Sequence, residues 1–278
     1  MHKTDFEILS DLGPSLPGKN WIPAPRYSLR RARILKIIAP FVPGKCLDIG
    51  CGPGALLYEM NQQGWQTNGL EISENAHEAG AVLHAETSTK IHKEPIPQWD
   101  TTFDLILALD VVEHIEDDHA AVESWRHWLK DGGRVIFSVP AHPSWWNDRD
   151  VAAGHFRRYT PKTLSALLEK CGYEVEHIEY FGFPIATLIE FVRFGPLTRF
   201  LRRLTGSKGS ANIQRSVSQE IEDRTKESGT NREDIMKFYP IVRLWIYQKT
   251  IKFFSVIQRL PILSRLGNGL IIVARKRA

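Results

Sequence analysis

The chain is poor in cysteine, which argues against two common kinds of structural support. Its 278 residues include three cysteines, Cys46, Cys51 and Cys171, and these show neither disulfide nor metal-site spacing. No spacing of histidines or carboxylates suggests a metal site either. We therefore expect reduced thiols, no metal centre and a cytoplasmic protein.

The chain also has few long apolar runs. Asp5, Glu7 and Asp11 interrupt the N-terminus, so we expect no signal peptide. No apolar run between residues 181 and 268 reaches the length of a membrane span. The composition, 42% hydrophobic and 24% charged, suits one large globular domain with an appendage.

A net positive charge is absent from most of the chain and is concentrated near its end. Residues 195–278 contain 17 Lys and Arg against 6 Asp and Glu, a net charge of +11, whereas residues 1–194 carry −7. No recognised nucleic-acid-binding motif accompanies the basic part, so nucleic acid is not an expected partner.

The most informative stretch is a glycine-rich turn between a short buried strand and an apolar helix. Asp48 is the one polar residue of that strand, and Gly50, Gly52 and Gly54 follow in alternation. Glycines permit positive φ and a close approach of backbone N–H groups to a ligand. The spacing differs from the G-x-G-x-x-G of dinucleotide-binding turns, and the carboxylate of Asp48 suits a cationic ligand better than a pyrophosphate.

Three later segments continue the alternation of strands and helices. They are T-N-G-L-E-I-S at 67–73, F-D-L-I-L-A-L-D-V-V-E-H at 103–114 and L-K-D-G-G-R-V-I-F-S-V-P at 129–140. Glu71 ends the second predicted strand roughly 20 residues after the glycine turn, where an acid can accept both hydroxyls of a ribose.

Together with L-D-I-G-C-G-P-G at residues 47–54, these segments resemble, in order, the motifs of the class I S-adenosylmethionine-dependent methyltransferases. The resemblance covers about residues 26–180 and the last strand. The D-V-V-E-H form is most similar to the branch that includes the ubiquinone- and menaquinone-pathway enzymes and many small-molecule methyltransferases.

The resulting prediction is an α/β fold, a Rossmann-like doubly wound sheet of seven strands whose last strand is antiparallel. We expect an N-terminal lead-in and cofactor-covering helix (1–44), a cofactor-binding core (45–180), a basic and aromatic helical insertion between strands six and seven (181–268) and a final strand (269–278). Strands are predicted near 46–50, 67–71, 87–92, 104–109, 133–139 and 174–180, and helices near 27–39, 55–63, 73–83, 117–130 and 161–171.

The resemblance implies S-adenosylmethionine as the cofactor. Asp48 would order the glycine turn and lie near the sulfonium or amino group, Glu71 would bind the ribose, and Asp110 would face the methionine end. An arginine of the 27–39 helix can pair with the methionine carboxylate, although a solvated basic face explains it equally well. The full predicted cofactor set is Asp48, Gly50, Cys51, Gly52, Gly54, Glu71, Ile72 and Asp110.

The acceptor side is predicted around the loop after strand five. Methyl transfer from a sulfonium requires in-line alignment, and a hydroxyl acceptor also requires a base. Candidate bases are His142, His155 and His114; the last can instead be a helix-start residue. Candidate acceptor contacts are Trp145, Trp146, Arg158 and Tyr159, with a salt-bridged cap before the Thr160 helix as the alternative for this stretch.

The insertion interleaves aromatic residues such as Trp245 and Phe253 with basic ones such as Arg243, Lys249 and Lys252. A helical lid, a homodimerisation subdomain and docking on an anionic membrane surface all fit this pattern.

For the whole chain we expect methyl transfer, with O-methylation favoured by the resemblance, to a small or lipid-linked acceptor at the inner face of the membrane. A non-catalytic cofactor-binding scaffold and a nicotinamide-dependent oxidoreductase stay open, although the glycine spacing and Asp48 argue against the oxidoreductase.

Overall fold

The computed structural model describes residues 6–194, 233–260 and 265–277. The N-terminal residues, predicted to be irregular, form a hairpin of β1 (Glu7–Leu9) and β2 (Gly13–Ser15). Helix α1 (Pro25–Ile38) follows, and Pro25 occupies its first turn, where the missing N–H group of proline costs no hydrogen bond.

Seven strands then form one central sheet. In chain order they are β3 (Lys45–Ile49), β4 (Gln66–Leu70), β5 (Lys90–His92), β6 (Phe103–Leu109), β7 (Leu129–Pro140), β8 (Tyr173–Phe181) and β9 (Gly269–Lys276). The spatial order is β5-β4-β3-β6-β7-β9-β8, with β9 antiparallel to both of its neighbours. The predicted seven-stranded Rossmann-like sheet with an antiparallel last strand is confirmed.

Helices connect the parallel strands and cover both faces of the sheet. They are α2 (Ala55–Gln62), α3 (Glu74–Leu83), α4 (Asp118–Trp128), α5 (Asp148–Ala153) and α6 (Pro161–Lys170). Thr160 caps α6 through a capping box with Thr163, and Pro161 opens the helix, as its sequence indicates. Leu47 and Ile106 of the central strands are fully buried, because helices pack on both sides of a parallel sheet.

The register of the sheet brings three turns to one edge. Ile49 pairs with Leu70 of β4 and with Ala108 of β6, so the residues that follow these three strands emerge side by side. The carboxyl edge of such a sheet is where ligands bind.

Helices also form the described part of the 181–268 insertion. They are α7 (Ile185–Phe194), α8 (Glu233–Met236), α9 (Tyr239–Val242) and α10 (Trp245–Ile257). Val242 and Ile251 share a small hydrophobic cluster with Leu9 of the N-terminal hairpin. Ion pairs from Asp11 to Lys249 (2.8 Å) and Lys252 (2.7 Å) add to this contact.

The polar stretch 206–231, which the sequence predicts to be a loop or a charged helix, lies outside the described residues. Among the helices that are described, none combines the length and the apolar character needed to cross a membrane.

Candidate functional site

A cavity of about 640 Å³ lies at the carboxyl edge of the sheet. Gly50, Glu71 and Asp110, which directly follow β3, β4 and β6, line it. Helix α1 and the insertion close it from above, through Arg26, Arg30, Glu190 and Ile235. Parts of the chain that are distant in sequence therefore enclose the site.

The glycine turn requires glycine on two grounds. Gly50, Gly52 and Gly54 all have positive φ, at 67°, 56° and 72°, a region that L side chains rarely adopt. A Cβ atom at Gly50 would also lie 2.6 Å from Cγ2 of Val111. The turn thus leaves backbone at the cavity wall, where a ligand can approach it closely.

Glu71 is held by the backbone around it. Its Oε2 accepts a hydrogen bond from the N–H of Gly52 (2.9 Å), and its Oε1 accepts from Ile72 (2.8 Å) and Ser73 (2.9 Å). These bonds fix the carboxylate at the wall of the cavity, beside the glycine turn. The remaining acceptor capacity of the two oxygens fits a diol such as a ribose.

Asp48 is a buried carboxyl group with an unused acceptor. Its Oδ1 has no hydrogen-bond partner among the described residues. Burial, which outweighs the nearby positive charge of Arg30, raises the pKa of Asp48 to about 7. A cationic ligand nearby would stabilise the ionised form, as the sulfonium or amino group of S-adenosylmethionine would.

Asp110 holds two arginines of α1 over the cavity. Arg26 donates to both carboxylate oxygens (3.1 and 3.3 Å), and Arg30 lies 2.6 Å from Oδ2. Burial alone would raise the pKa of Asp110, but Arg26 and Arg30 more than offset burial and hold it well below its usual range. Both arginines line the cavity, and pairing of either one with a methionine carboxylate stays a prediction.

Three side chains converge at the other end of the cavity. Ligand atoms of Glu113, His114 and His155 all lie within 4.8 Å of one another. Neither carboxylate oxygen of Glu113 nor Nδ1 of His114 has a hydrogen-bond partner among the described residues, while Nδ1 of His155 lies 2.9 Å from Oδ1 of Asp150. The second nitrogen of His155 is therefore available, and Asp150 orients its ring.

Burial sets the charge of this cluster. Burial, assisted by the negative charge of Asp110, raises the pKa of Glu113 well above its usual value. Burial and the neighbouring His155 lower the pKa of His114 to about 4. A carboxyl group and two imidazoles form a ligand set that divalent cations accept once the carboxyl is ionised, and a neutral histidine can also act as a general base.

Sequence spacing gives no sign of this cluster, although it predicts His114 and His155 separately. His155 follows His114 by forty-one positions, far outside the local spacing of common metal motifs. The contact exists because the backbone N–H of Phe156 donates to the carbonyl oxygen of Glu113 (2.8 Å). This pairing of two loops is a tertiary feature.

A buried ionic network supports His155. Arg158 donates to both oxygens of Asp150 (2.8 Å each) and to Oε1 of Glu190 (2.5 Å). Asn268 donates to Oε2 of Glu190 (2.6 Å). Glu190 belongs to α7, so the network connects the insertion to the acceptor loop.

The predicted site residues divide into two groups. Those that line the cavity are Gly50, Cys51, Gly52, Glu71, Ile72, Asp110, His114, His155 and Arg158. Those that do not are Asp48, Gly54, His142, Trp145, Trp146 and Tyr159.

The second group makes other contacts. His142 stacks between Trp145 and Tyr180, with ring centroids 4.1 and 5.1 Å away, and its Nε2 lies 3.0 Å from the carbonyl oxygen of Gly267. The hydroxyl of Tyr159 donates to Asp118 (2.7 Å). These contacts support the loop from outside the cavity, and they do not favour His142 as a base.

Several residues that line the cavity are not among the predicted site residues, and those with charged side chains include Glu113, Arg149, Asp150 and Glu190. Arg149 and Asp150 fall inside the predicted acceptor loop, and this position is the sequence feature that could have indicated them. Glu190 lies on an apolar helix of the insertion, where no neighbouring residue indicates a functional role.

Comparison with known proteins agrees with this geometry. A family model described as "Methyltransferase domain" matches residues 25–178. Ubiquinone biosynthesis O-methyltransferase of Idiomarina loihiensis is 30% identical over 125 residues, which are 42% of this chain and 51% of that protein. The Vibrio cholerae protein of the same name is 31% identical over 104 residues, 34% of this chain and 41% of that protein. The chain thus spans about half the length of the curated relatives it matches, or less.

Solved structures share the fold at low identity. Phosphoethanolamine N-methyltransferase 2 of Haemonchus contortus, with S-adenosylmethionine bound, is 17% identical at a TM-score of 0.51, covering 90% of this chain and 52% of that one. The [4+2]-cyclase SpnF is 16% identical at a TM-score of 0.53, covering 91% and 82%. A cyclase and a methyltransferase on one fold mean that the fold alone does not identify the reaction.

The family model matches more than half of the chain, and Gly50, Gly52 and Glu71 line the cavity at the edge of the sheet where the motifs predict the cofactor. The chain belongs to the class I S-adenosylmethionine-dependent methyltransferase family, whose cofactor is S-adenosylmethionine.

Proposed function

We propose that the chain transfers the methyl group of S-adenosylmethionine to a hydroxyl oxygen of a small or lipid-linked acceptor. The observation that carries this proposal is the cluster of Glu113, His114 and His155 in the wall of the cofactor cavity. An acceptor hydroxyl must lose a proton during the transfer. Among the described residues that line the cavity, this cluster is best placed to accept that proton or to stabilise the negative oxygen that remains.

The reaction exchanges one bond for another. The acceptor oxygen forms a bond to the methyl carbon while the sulfur–methyl bond breaks, and the electron pair of that bond stays on sulfur as S-adenosylhomocysteine. The hydroxyl proton leaves to a base. The glycine turn and Glu71 would hold the donor, so the main contribution of the protein would be alignment.

The cluster suits either of two ways of activating the hydroxyl. His155, oriented by Asp150, can accept the proton itself. Glu113, His114 and His155 can alternatively hold a divalent cation, which would lower the pKa of a bound hydroxyl. Within the part of the chain that the structure describes, both buried oxygens of Glu113 and Nδ1 of His114 have no hydrogen-bond partner. This favours the cation, because buried polar atoms otherwise find partners.

The name of the curated relatives supports oxygen as the methylated atom. Because the chain spans only about half of those proteins, O-methylation and the acceptor class belong to this proposal.

The test is methyl transfer from labelled S-adenosylmethionine to a pool of phenols and catechols. It is run with EDTA and with added Mg²⁺, Mn²⁺ or Zn²⁺, on the unaltered protein and on Glu113→Gln. We expect labelled product with a cation, and at least about a hundredfold less with EDTA or Glu113→Gln, the range of a lost catalytic group. Activity that EDTA leaves unchanged would indicate that a histidine accepts the hydroxyl proton without a cation. Tight binding of S-adenosylhomocysteine without labelled product would favour the non-catalytic scaffold.

We also propose that the insertion docks on the cytoplasmic face of an anionic membrane, from which a lipid-linked acceptor would enter. On α10, Trp245, Ile246 and Phe253 are 72%, 57% and 59% exposed. Lys249 and Lys252 lie between them at helical spacing. A helix that exposes apolar and basic side chains together suits an interface with anionic lipid.

Vesicle flotation tests this docking surface. We expect binding to phosphatidylglycerol vesicles that weakens in high salt, little binding to phosphatidylcholine, and loss of binding in Trp245→Glu/Phe253→Glu. Val42→Glu, which alters an exposed apolar residue elsewhere, is the matched control. No binding at low salt would leave the lid interpretation, and concentration-dependent pairing of the chain without vesicles would indicate the homodimer.

A further inference from the structure

Arg149 is a guanidinium at the cavity wall with few partners. It lines the cavity, and its side chain is 43% exposed. Its ion pair among the described residues joins Nη1 to Oε2 of Glu190 at 3.8 Å, beyond hydrogen-bond distance. Arginine normally satisfies its donors through several short bonds, so Arg149 has donors to offer a ligand.

Glu190 is already committed to other partners. Its Oε1 accepts from Arg158 (2.5 Å) and Asn147 (3.0 Å), and its Oε2 accepts from Asn268 (2.6 Å). The long contact to Arg149 is therefore the weakest of the four, and Glu190 is poorly placed to neutralise a second guanidinium.

The carboxylates near Arg149 already bind other guanidinium groups. Arg26 and Arg30 share Asp110, and Arg158 has Asp150 and Glu190 as partners. An additional anion in the cavity would give Arg149 a close partner of its own.

The position of Arg149 associates it with the acceptor rather than the cofactor. It precedes Asp150 on α5, and Asp150 orients His155 of the cluster. The carboxylate of the cofactor would instead meet Arg26 and Arg30 of α1, which lie beside Asp110.

We propose that Arg149 binds an anionic oxygen group of the acceptor, a carboxylate or a phosphate, and so selects acceptors that carry a hydroxyl and an anion on one small framework. A guanidinium binds either group through two parallel N–H donors. This inference rests on the proposed function, because it assumes that the acceptor occupies this end of the cavity.

The experiment compares matched ligands on the protein saturated with S-adenosylhomocysteine. Phenol is titrated calorimetrically against 3-hydroxybenzoate and 4-hydroxybenzoate as carboxylate probes, and against 4-hydroxyphenylphosphonate as the phosphate-like probe. The proteins are the unaltered chain, Arg149→Gln, Arg149→Lys and Arg275→Gln. Arg275 is the matched control, since its side chain is 44% exposed and its partners are Glu174 and Glu176 at the sheet surface.

We expect at least one anionic probe to bind about tenfold or more tightly than phenol, the range of a charge-assisted hydrogen bond. Arg149→Gln should abolish that preference, Arg149→Lys should retain part of it, and Arg275→Gln should leave it unchanged. The stronger class of probe, carboxylate or phosphonate, identifies the anion.

Three results would overturn the inference. Phenol can bind as tightly as every anionic probe, the preference can persist in Arg149→Gln, or Arg149→Gln can weaken S-adenosylhomocysteine itself, which would assign Arg149 to the cofactor. If S-adenosylhomocysteine fails to bind the unaltered protein, the proposed function fails before this comparison begins.

Discussion

The two ends of the cavity are built in different ways. At the cofactor end, the glycine turn and Glu71 come from consecutive strand ends, and backbone N–H groups position the carboxylate. At the acceptor end, side chains from three distant segments meet in a buried ionic network around Asp150 and Glu190. Backbone geometry tolerates change in the surrounding side chains, whereas a network of buried charges depends on every member.

The difference between the two ends also separates cofactor binding from acceptor binding. The predicted ribose and glycine-turn contacts come from short segments at the ends of β3 and β4. The acceptor end depends on α7 of the insertion, through Glu190. Substitutions should therefore affect one end while leaving the other intact, and four experiments test that separation.

The largest effect is expected when the acceptor network is broken. Glu190→Ala leaves Arg158 with one carboxylate partner instead of two, and removes the shorter of the two acceptors of the Asn268 amide. Breaking a buried ion pair typically costs about 3–5 kcal/mol, so we expect the free energy of unfolding in urea to fall by about that much. Glu174→Ala, at an exposed ion pair, should change it by less than about 1 kcal/mol. A similar small change for Glu190→Ala would show that the network is not needed for stability.

The second largest effect is expected on turnover, while cofactor binding stays unchanged. His155→Gln removes a cluster nitrogen while keeping a side chain of similar size. We expect kcat to fall by roughly a hundredfold or more, with the Kd of S-adenosylhomocysteine within about twofold of the unaltered protein. His127→Gln, at an exposed helix position, serves as the control. Parallel losses in kcat and in cofactor affinity would contradict the separation of the two ends.

The third prediction is the converse, a loss of cofactor affinity that leaves the acceptor end unchanged, and it concerns Glu71. Glu71→Ala removes the carboxylate that is predicted to bind the cofactor ribose, and hydrogen bonds to a charged group contribute about 1.5–3 kcal/mol. Calorimetry should show S-adenosylhomocysteine binding weakened by roughly ten- to a hundredfold, while cation binding at the Glu113 cluster stays unchanged. Glu78→Ala, on the exposed surface of α3, is the control. Unchanged cofactor affinity in Glu71→Ala would refute the assignment of Glu71 to the ribose.

The smallest effect is a pH dependence at Asp48. Burial raises its pKa to about 7, so the carboxyl is protonated below that pH and ionised above it. Since the ionised form favours a cationic cofactor, S-adenosylmethionine affinity should rise as pH increases from 6 to 8, by at most about tenfold per pH unit.

Stability should move in the opposite direction, because a carboxyl whose pKa is higher in the folded than in the unfolded chain loses stability as pH rises from about 4 to about 7. Asp48→Asn should remove the Asp48 contribution to both trends. A pH dependence of cofactor affinity that Asp48→Asn leaves unaltered would assign it to another group.

Much of the core was predictable because its signals are local. The predicted β3 and β6 agree with the structure within one residue at each end, since short, mainly apolar runs identify buried strands. The third strand was predicted at 87–92 but pairs only over Lys90–His92, because an edge strand receives hydrogen bonds from one side and His84 and Thr87 form a local turn before it.

The acceptor end was only partly predictable. The sequence identified His114, His155 and Arg158 as chemically suited, and it grouped His142, Trp145, Trp146 and Tyr159 with them. No local pattern distinguishes a loop side chain that enters a cavity from one that packs behind the loop. The side chain of His142 packs outside the cavity because its backbone adopts a φ of 58° and its ring stacks on Tyr180.

By itself, the sequence determined the seven-stranded α/β fold, the cofactor family and the positions of the glycine turn and Glu71. These follow from glycine spacing, apolar periodicity and an acid at a strand end, all of which act over a few neighbouring residues. Only the tertiary structure decided that Glu113, His114 and His155 form one cluster, that Glu190 of the insertion supports it, and that Arg149 is left with unused donors. Those relations depend on which loops the sheet brings together and on which buried charges find partners, and the separation of residues along the chain does not encode either.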